Sequence, residues 1–220
     1  MTGEFPRLDI LPESQRRLWP RLAAIRDSGF VLYGGTAVAL RLGHRQSVDF
    51  DFFSHREFRP EMLIREFRLL ADAPIVQESP NTLTVLVPGE QGPVKISFFG
   101  GLTFGRLDEP QTTPDEVMVV ASMLDLLAHK LKVILQRVES KDYLDIDALL
   151  RTGTTLAEGL AGAQALYPNF PVQEALKALT YFKGGDLEAL SRDVREHLIR
   201  QSRQVLSVPR RTTVSPRLAG

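Results

Sequence analysis

The sequence predicts an α+β chain: a small mixed β-sheet flanked by helices, followed by an α-helical C-terminal lobe. Two observations carry this. Apolar runs at 30–33, 48–53, 75–78, 82–87 and 94–99 are too short for helices, and several are bounded by Gly, Pro, Ser and Asn turn signals. From Ser122 onward no strand pattern remains, and apolar residues recur at helical spacing. The change of character falls within 105–121. It divides the chain into an α/β lobe at 1–110, a helical lobe at 111–208 and a flexible tail at 209–220, where two prolines and few apolar residues remain.

The elements follow in order. Residues 11–27 read as a helix that Pro20 kinks or splits, with Gly29 as its stop. Residues 30–33 suit a buried strand. The pair Gly34 and Gly35 then breaks the chain before a short helix at 36–42, closed by Gly43. A second strand is expected at 48–53, and residues 54–70 are expected to be mostly helical, with Pro60 near the first turn. The runs at 82–87 and 94–99, separated by Pro-Gly-Glu-Gln-Gly, suit a hairpin. A short strand is expected near 117–120. Ser122 and Asp125 resemble a capping box with Asp in place of Glu. Leu124, Leu127, Leu131 and Ile134 form the apolar stripe of the helix that follows, and further helices are expected at 142–150, 156–166, 172–181 and 187–205.

Bulk properties exclude several classes. The chain has 220 residues, 43% hydrophobic and 25% charged, which is globular rather than disordered. Its formal net charge is zero, so the surface as a whole is no polyanion binder, and an RNA would be gripped by a local patch. Without cysteine there is neither a disulfide nor a thiolate metal site. The N-terminus is no signal peptide and no apolar run reaches membrane-spanning length, so a cytoplasmic protein with no membrane partner is expected.

The chemistry concentrates at 34–53, GGTAVALRLGHRQSVDFDFF. Glycines let a backbone approach a ligand closely, and the helix N-terminus behind them suits a phosphate. Thr36 there caps the helix or donates to a phosphate oxygen; a plain strand-to-helix turn is the alternative. Asp49 and Asp51 are two apart on the expected strand and so share a face, with Val48, Phe50 and Phe52 on the other. Adjacent carboxylates repel each other, aspartate is a poor strand former, and a cation between them relieves the repulsion. Magnesium takes one or two carboxylates plus substrate phosphates, which is the set that phosphoryl or nucleotidyl transfer uses. Solvated aspartates on an edge strand are the alternative. Arg45 can pair with either aspartate or reach a phosphate bidentately. His44 is either a metal ligand or a loop residue bonded locally; His129 and His197 carry no signal.

This stretch resembles the first two motifs of the AbiEii/AbiGii-type nucleotidyltransferases, within the DNA polymerase β-like nucleotidyltransferase superfamily, a group that includes toxins of bacterial toxin–antitoxin pairs. A second patch, Asp125-Leu126-Leu127-Ala128-His129-Lys130, then Arg137, then Lys141-Asp142-Tyr143-Leu144-Asp145, is similar to the family's later motifs in the same order and spacing. The resemblance spans 34–150. It implies a nucleotidyltransferase-like first lobe, with Gly34, Gly35 and Thr36 on the triphosphate of an NTP substrate and Asp49 and Asp51 on Mg2+. It also implies a role for Lys130 in contacting phosphate or positioning the nucleotide, with Asp142 and Asp145 completing the site from the helical lobe. An RNA or protein acceptor and a cognate antitoxin are the implied partners.

Spacing adds to this. Lys130 and Arg137 share a face if their helix is continuous, and so do Asp142 and Asp145. Lys130 either snorkels to solvent or faces the cleft between lobes, and Lys141 with Asp145 suits an ordinary i,i+4 pair. One departure stands out. Superfamily enzymes commonly carry a third carboxylate on a later strand, and Ser97, in Val94-Lys95-Ile96-Ser97-Phe98, occupies that place. Either Asp142 or Asp145 substitutes, or the acceptor needs no base, or the protein binds nucleotides with impaired catalysis. The arginines at 192, 195, 200, 203, 210, 211 and 217 form either a solvated helix face or a patch for RNA or an acidic partner.

Overall fold

The computed structural model describes residues 4–219. The elements are α1 (Glu13–Leu18), β1 (Val31–Tyr33), α2 (Gly34–Leu42), β2 (Phe50–Phe53), α3 (Pro60–Glu66), β3 (Ile75–Ser79), β4 (Thr82–Val87), β5 (Val94–Phe99), β6 (Gln111–Thr112) and β7 (Val119–Val120). Then come α4 (Met123–Val133), α5 (Ser140–Leu150), α6 (Leu156–Leu166), α7 (Val172–Ala178) and α8 (Arg192–Gln204). The α+β class is the one expected. Among the described residues no helix is long and apolar enough to cross a membrane.

Where boundaries differ from expectation, backbone chemistry explains it. The helix expected over 11–27 stops being α-helical at Leu18, and Trp19–Ser28 winds as a 3-10 helix. Pro20 has no N–H to give the carbonyl four residues back, so the α-helical ladder cannot pass it. The helix expected from 54 begins at Pro60, because the Ser54 hydroxyl holds a turn instead: it donates to the Gly29 carbonyl at 2.8 Å and accepts from the Arg56 N–H at 3.0 Å. Strand β2 begins at Phe50, not at 48. Val48 is exposed, and its carbonyl accepts from Gln15 Nε2 at 2.7 Å.

The chain divides into two compact units. The first runs to Gly105 and also takes in Glu109–Ala121 and the stretch from Ser215. Its strands form a mixed sheet of order β3-β4-β5-β2-β1-β7-β6, in which β2–β5 and β1–β7 are parallel and the other neighbours antiparallel. Alternation sorts the central side chains onto two faces. Leu32, Phe50, Phe52, Leu83, Val85, Ile96 and Phe98 are buried on one; Phe52 stacks on Phe98 at 5.2 Å and Phe50 meets Trp19 at 6.3 Å. This face is the hydrophobic core of the unit. The other face carries Asp51, Ser97 and Thr84 in register on adjacent strands.

The second unit comprises Arg106–Asp108 and Ser122–Val214. The Ser122 hydroxyl accepts from the Asp125 N–H at 3.0 Å, as a helix cap should. The Asp125 carboxylate reaches back to the cap through the Ser122 hydroxyl, which donates to Asp125 Oδ2 at 2.5 Å. Besides the Ser122 hydroxyl, the carboxylate accepts from the N–H groups of Leu107 and Asp108 at 2.8 and 3.2 Å, fastening that short segment to α4. Burial pushes this carboxyl above its ordinary pKa, against the pull of those donors. Helices α4 and α6 approach closely at Gly159, where an added Cβ would lie 2.6 Å from Leu127 Cδ2. The terminal stretch expected to be a flexible tail lies against the protein: the Val214 N–H donates to the Arg106 carbonyl at 2.9 Å, and Leu218 is buried.

Candidate active site

The glycine pair sits where β1 turns into α2. Gly34 has φ +72°, a left-handed conformation that glycine adopts freely. A Cβ there would lie 2.5 Å from Asp51 Oδ2, so the carboxylate rests directly on the turn. A Cβ on Gly35 would lie 2.2 Å from an Arg45 guanidinium nitrogen. Arg45 also donates to the Gln46 carbonyl at 2.8 Å. Tyr33, the N-cap residue of α2, makes no capping hydrogen bond with its side chain, and a helix N-terminus of this kind suits an anion. The turn thus has Asp51 against its first glycine and Arg45 against its second.

Thr36 takes neither of the roles expected of it. Tyr33 holds the N-cap position, and Thr36 is buried inside α2. Its hydroxyl donates to the Asp49 carbonyl and hydrogen-bonds Ser47 Oγ at 2.8 Å. Thr36 thus fixes the backbone that carries Asp49, and Ser47 helps it. Asp49 precedes β2, and Asp51 lies within it, in register with Tyr33 on β1 and Ser97 on β5.

On β5, Ser97 is 2% exposed and its hydroxyl accepts from Thr84 Oγ1 at 3.3 Å. Lys95, two residues earlier and hence on the same face, places Nζ 3.2 Å from Asp49 Oδ2. Lys95 escaped the sequence reading, although its i−2 relation to Ser97 was a usable signal. Among the described residues no group of three or more His, Asp or Glu side chains gathers to hold a metal, so His44 joins no such group. Asp51 against the turn and Asp49 beside Lys95 are the carboxylates available near it. Such hard oxygen donors are of the kind that suits Mg2+, an ion that takes its remaining ligands from phosphate and water.

The second sequence patch assembles within the helical unit. Lys130 on α4 is buried, and its Nζ lies 2.7 Å from Asp142 Oδ1 and 2.6 Å from Asp145 Oδ2 on α5. Both aspartates are 0% exposed. Helix α4 ends at Val133, so Arg137 is not on it; even so, its Nε donates to Asp142 Oδ2 at 2.8 Å. Burial opposes ionisation of Asp142, but Arg137 and Lys130 outweigh it and hold the carboxyl below its ordinary range. Lys130 neither snorkels to solvent nor stands unpartnered. Lys141 pairs with Glu139 at 2.7 Å rather than with Asp145.

Both helical histidines make contacts that the sequence did not signal. Burial, reinforced by the charge of Lys130, lowers His129 to about 3, and the neutral ring meets the Tyr167 hydroxyl at 2.8 Å. His197 Nδ1 lies 2.6 Å from Asp147 Oδ1. Of the C-terminal arginines, Arg192 pairs with Glu196 at 2.6 Å and Arg195 donates to the Leu187 carbonyl at 3.2 Å.

Three comparisons bear on this arrangement. Residues 17–205 match the family described as nucleotidyl transferase AbiEii toxin, type IV TA system. An uncharacterized protein of Aquifex aeolicus is 31% identical over 186 residues, covering 80% of this chain and 88% of its own. The fold is shared with the crystal structure of an antigenic nucleotidyltransferase-like protein from Paracoccidioides brasiliensis, with a TM-score of 0.53 at 17% identity, covering 84% of this chain and 92% of that one. The family match includes both the glycine turn with its aspartates and the buried Lys130 cluster: the chain belongs to the AbiEii nucleotidyl transferase toxin family of type IV toxin–antitoxin systems.

Proposed function

We propose that the protein transfers a nucleoside monophosphate from an NTP to an RNA or protein acceptor, and that it is the toxin component of a toxin–antitoxin pair with a cognate antitoxin as partner. The observation that carries this is the contact between Asp51 and the Gly34 turn: a metal-type carboxylate rests on the backbone where β1 turns into α2. The triphosphate would lie on that turn, with Arg45 beside it to take up charge. Asp49 and Asp51 would hold Mg2+, which when bound supplies Lewis-acid polarisation of the α-phosphate. The acceptor hydroxyl would attack the α-phosphorus; the bond to the bridging oxygen would break, and pyrophosphate would leave.

Lys130, Asp142 and Asp145 enter this reading through the family motif. Their burial and mutual pairing favour a role in fixing α4 and α5 together. A second reading, a nucleotide-binding protein with impaired catalysis, is favoured by Ser97 in register with Asp51, because an unassisted serine is no base at neutral pH.

The test is incubation with each α-labelled NTP, Mg2+ and total cellular RNA and protein. Label should pass to one acceptor pool, and Asp49→Ala with Asp51→Ala should abolish it. Undiminished transfer by the double variant would overturn the assignment. Nucleotide binding without pyrophosphate release for any acceptor pool would favour the second reading.

A further inference from the structure

We propose that this site takes a single divalent cation and that Lys95 supplies the second positive charge, by holding Asp49. The inference rests on the functional reading above and goes beyond it to metal stoichiometry.

The argument starts from the register. Strand β5 runs parallel to β2 and places Ser97 opposite Asp51. Side chains two apart on β5 share a face, so Lys95, Ser97 and Phe99 lie there, and the first two are its polar groups. A site for two metals roughly 4 Å apart uses shared carboxylates to hold both ions against their mutual repulsion. Here β5 contributes a hydroxyl and an ammonium group in place of a carboxylate. The Ser97 hydroxyl is buried beside Thr84 Oγ1, at 3.3 Å.

Local charge points the same way. Asp49 and Asp51 carry two negative charges. Lys95 Nζ lies 3.2 Å from Asp49 Oδ2, and the Arg45 guanidinium packs against Gly35, the second glycine of the turn. A second divalent ion would add two positive charges to a face already balanced by two cationic side chains. One ion leaves a moderate positive excess, which an incoming polyphosphate then neutralises.

Lys95 is not there for stability. Its side chain is 44% exposed and that of Asp49 36%, and a pair so exposed contributes little to folding. Its position has a different consequence. An ammonium on Asp49 holds that carboxylate in place before metal arrives, and it competes with the metal for the same oxygens. Lys95 is thus a positioning residue. It keeps the site assembled at the expense of metal affinity, and its charge stays beside Asp49 when one metal is bound.

The experiment is a titration of the full chain with Mn2+ alone, followed by electron paramagnetic resonance of the free ion. Wild-type protein should bind one Mn2+ per chain. Lys95→Met should bind one Mn2+ roughly three- to tenfold more tightly, because a like charge has been removed. Lys95→Arg, which keeps the charge, should retain wild-type affinity. Two Mn2+ per chain would overturn the proposal, as would unchanged affinity in Lys95→Met or equal tightening in Lys95→Arg. Absence of Mn2+ binding in every variant, both alone and with a non-hydrolysable NTP analogue added, would overturn the metal-dependent transfer reading itself. Binding of one Mn2+ with no response to Lys95 would overturn only the role given to Lys95.

Discussion

Gly34 carries two constraints that separate experimentally. Its φ of +72° costs an L-residue about 1–2 kcal/mol. Its missing Cβ also makes room for Asp51 Oδ2, only 2.5 Å from where that carbon would sit. Gly153 shares the positive φ, at +103°, but a Cβ there would meet nothing within 4 Å. Gly34→Ala should therefore lower stability in urea denaturation and also abolish nucleotide transfer by displacing Asp51. Gly153→Ala should lower stability alone. Equal transfer by the two variants would show that the contact between Gly34 and Asp51 has no functional weight. At this scale the sequence was legible where chemistry is local. The Gly-Gly turn and the two aspartates stand out by spacing. The contacts of Thr36 and Lys95 do not, because their partners, Ser47 and Asp49, depend on helix phase and strand register rather than on neighbouring letters.

Elements were legible in type and less so in extent. The strand runs and helices follow the apolar period, while boundaries moved where Pro20 broke a ladder or Ser54 held a turn. The helix pair α4 and α5 shows what periodicity cannot reveal: Lys130 and Asp145 lie inside, joined at 2.6 Å. Removing one member of a buried ion pair leaves an uncompensated charge. Lys130→Met should thus lower stability by about 3–5 kcal/mol at neutral pH. The pH dependence has a definite sign. Asp142 is held below its ordinary range in the folded protein, so its ionised form contributes stability above the unfolded carboxylate value of about 3.9. That contribution is lost as pH falls through the folded value. In Lys130→Met the Asp142 carboxyl has less reason to stay ionised, so the gap to wild type should narrow below about pH 4. Urea denaturation of both proteins between neutral and acid pH measures this; a loss under 1 kcal/mol at neutral pH would contradict the pairing.

For the whole molecule, composition and family identity bear on the acceptor. The chain carries 27 Lys and Arg against 27 Asp and Glu. Nucleic-acid affinity that depends on counterion release needs several cations free to meet phosphates, and a neutral protein lacks that general attraction. Many basic groups here already have partners within the fold: Lys130 with Asp142 and Asp145, Arg56 with Glu66, Arg151 with Asp147, Arg192 with Glu196. An RNA acceptor would therefore be held by a small set of local contacts and recognised by its shape or end. Random-sequence RNA should show no retained complex in a gel-shift assay at micromolar protein and physiological salt. Labelling, if RNA is the acceptor, should concentrate in one RNA class within the total pool. A tight complex with random RNA that weakens steeply as salt rises would instead mean that the charge balance conceals an extended basic surface. Uniform labelling of all RNA would then be expected, and the net charge would be a poor guide to the acceptor.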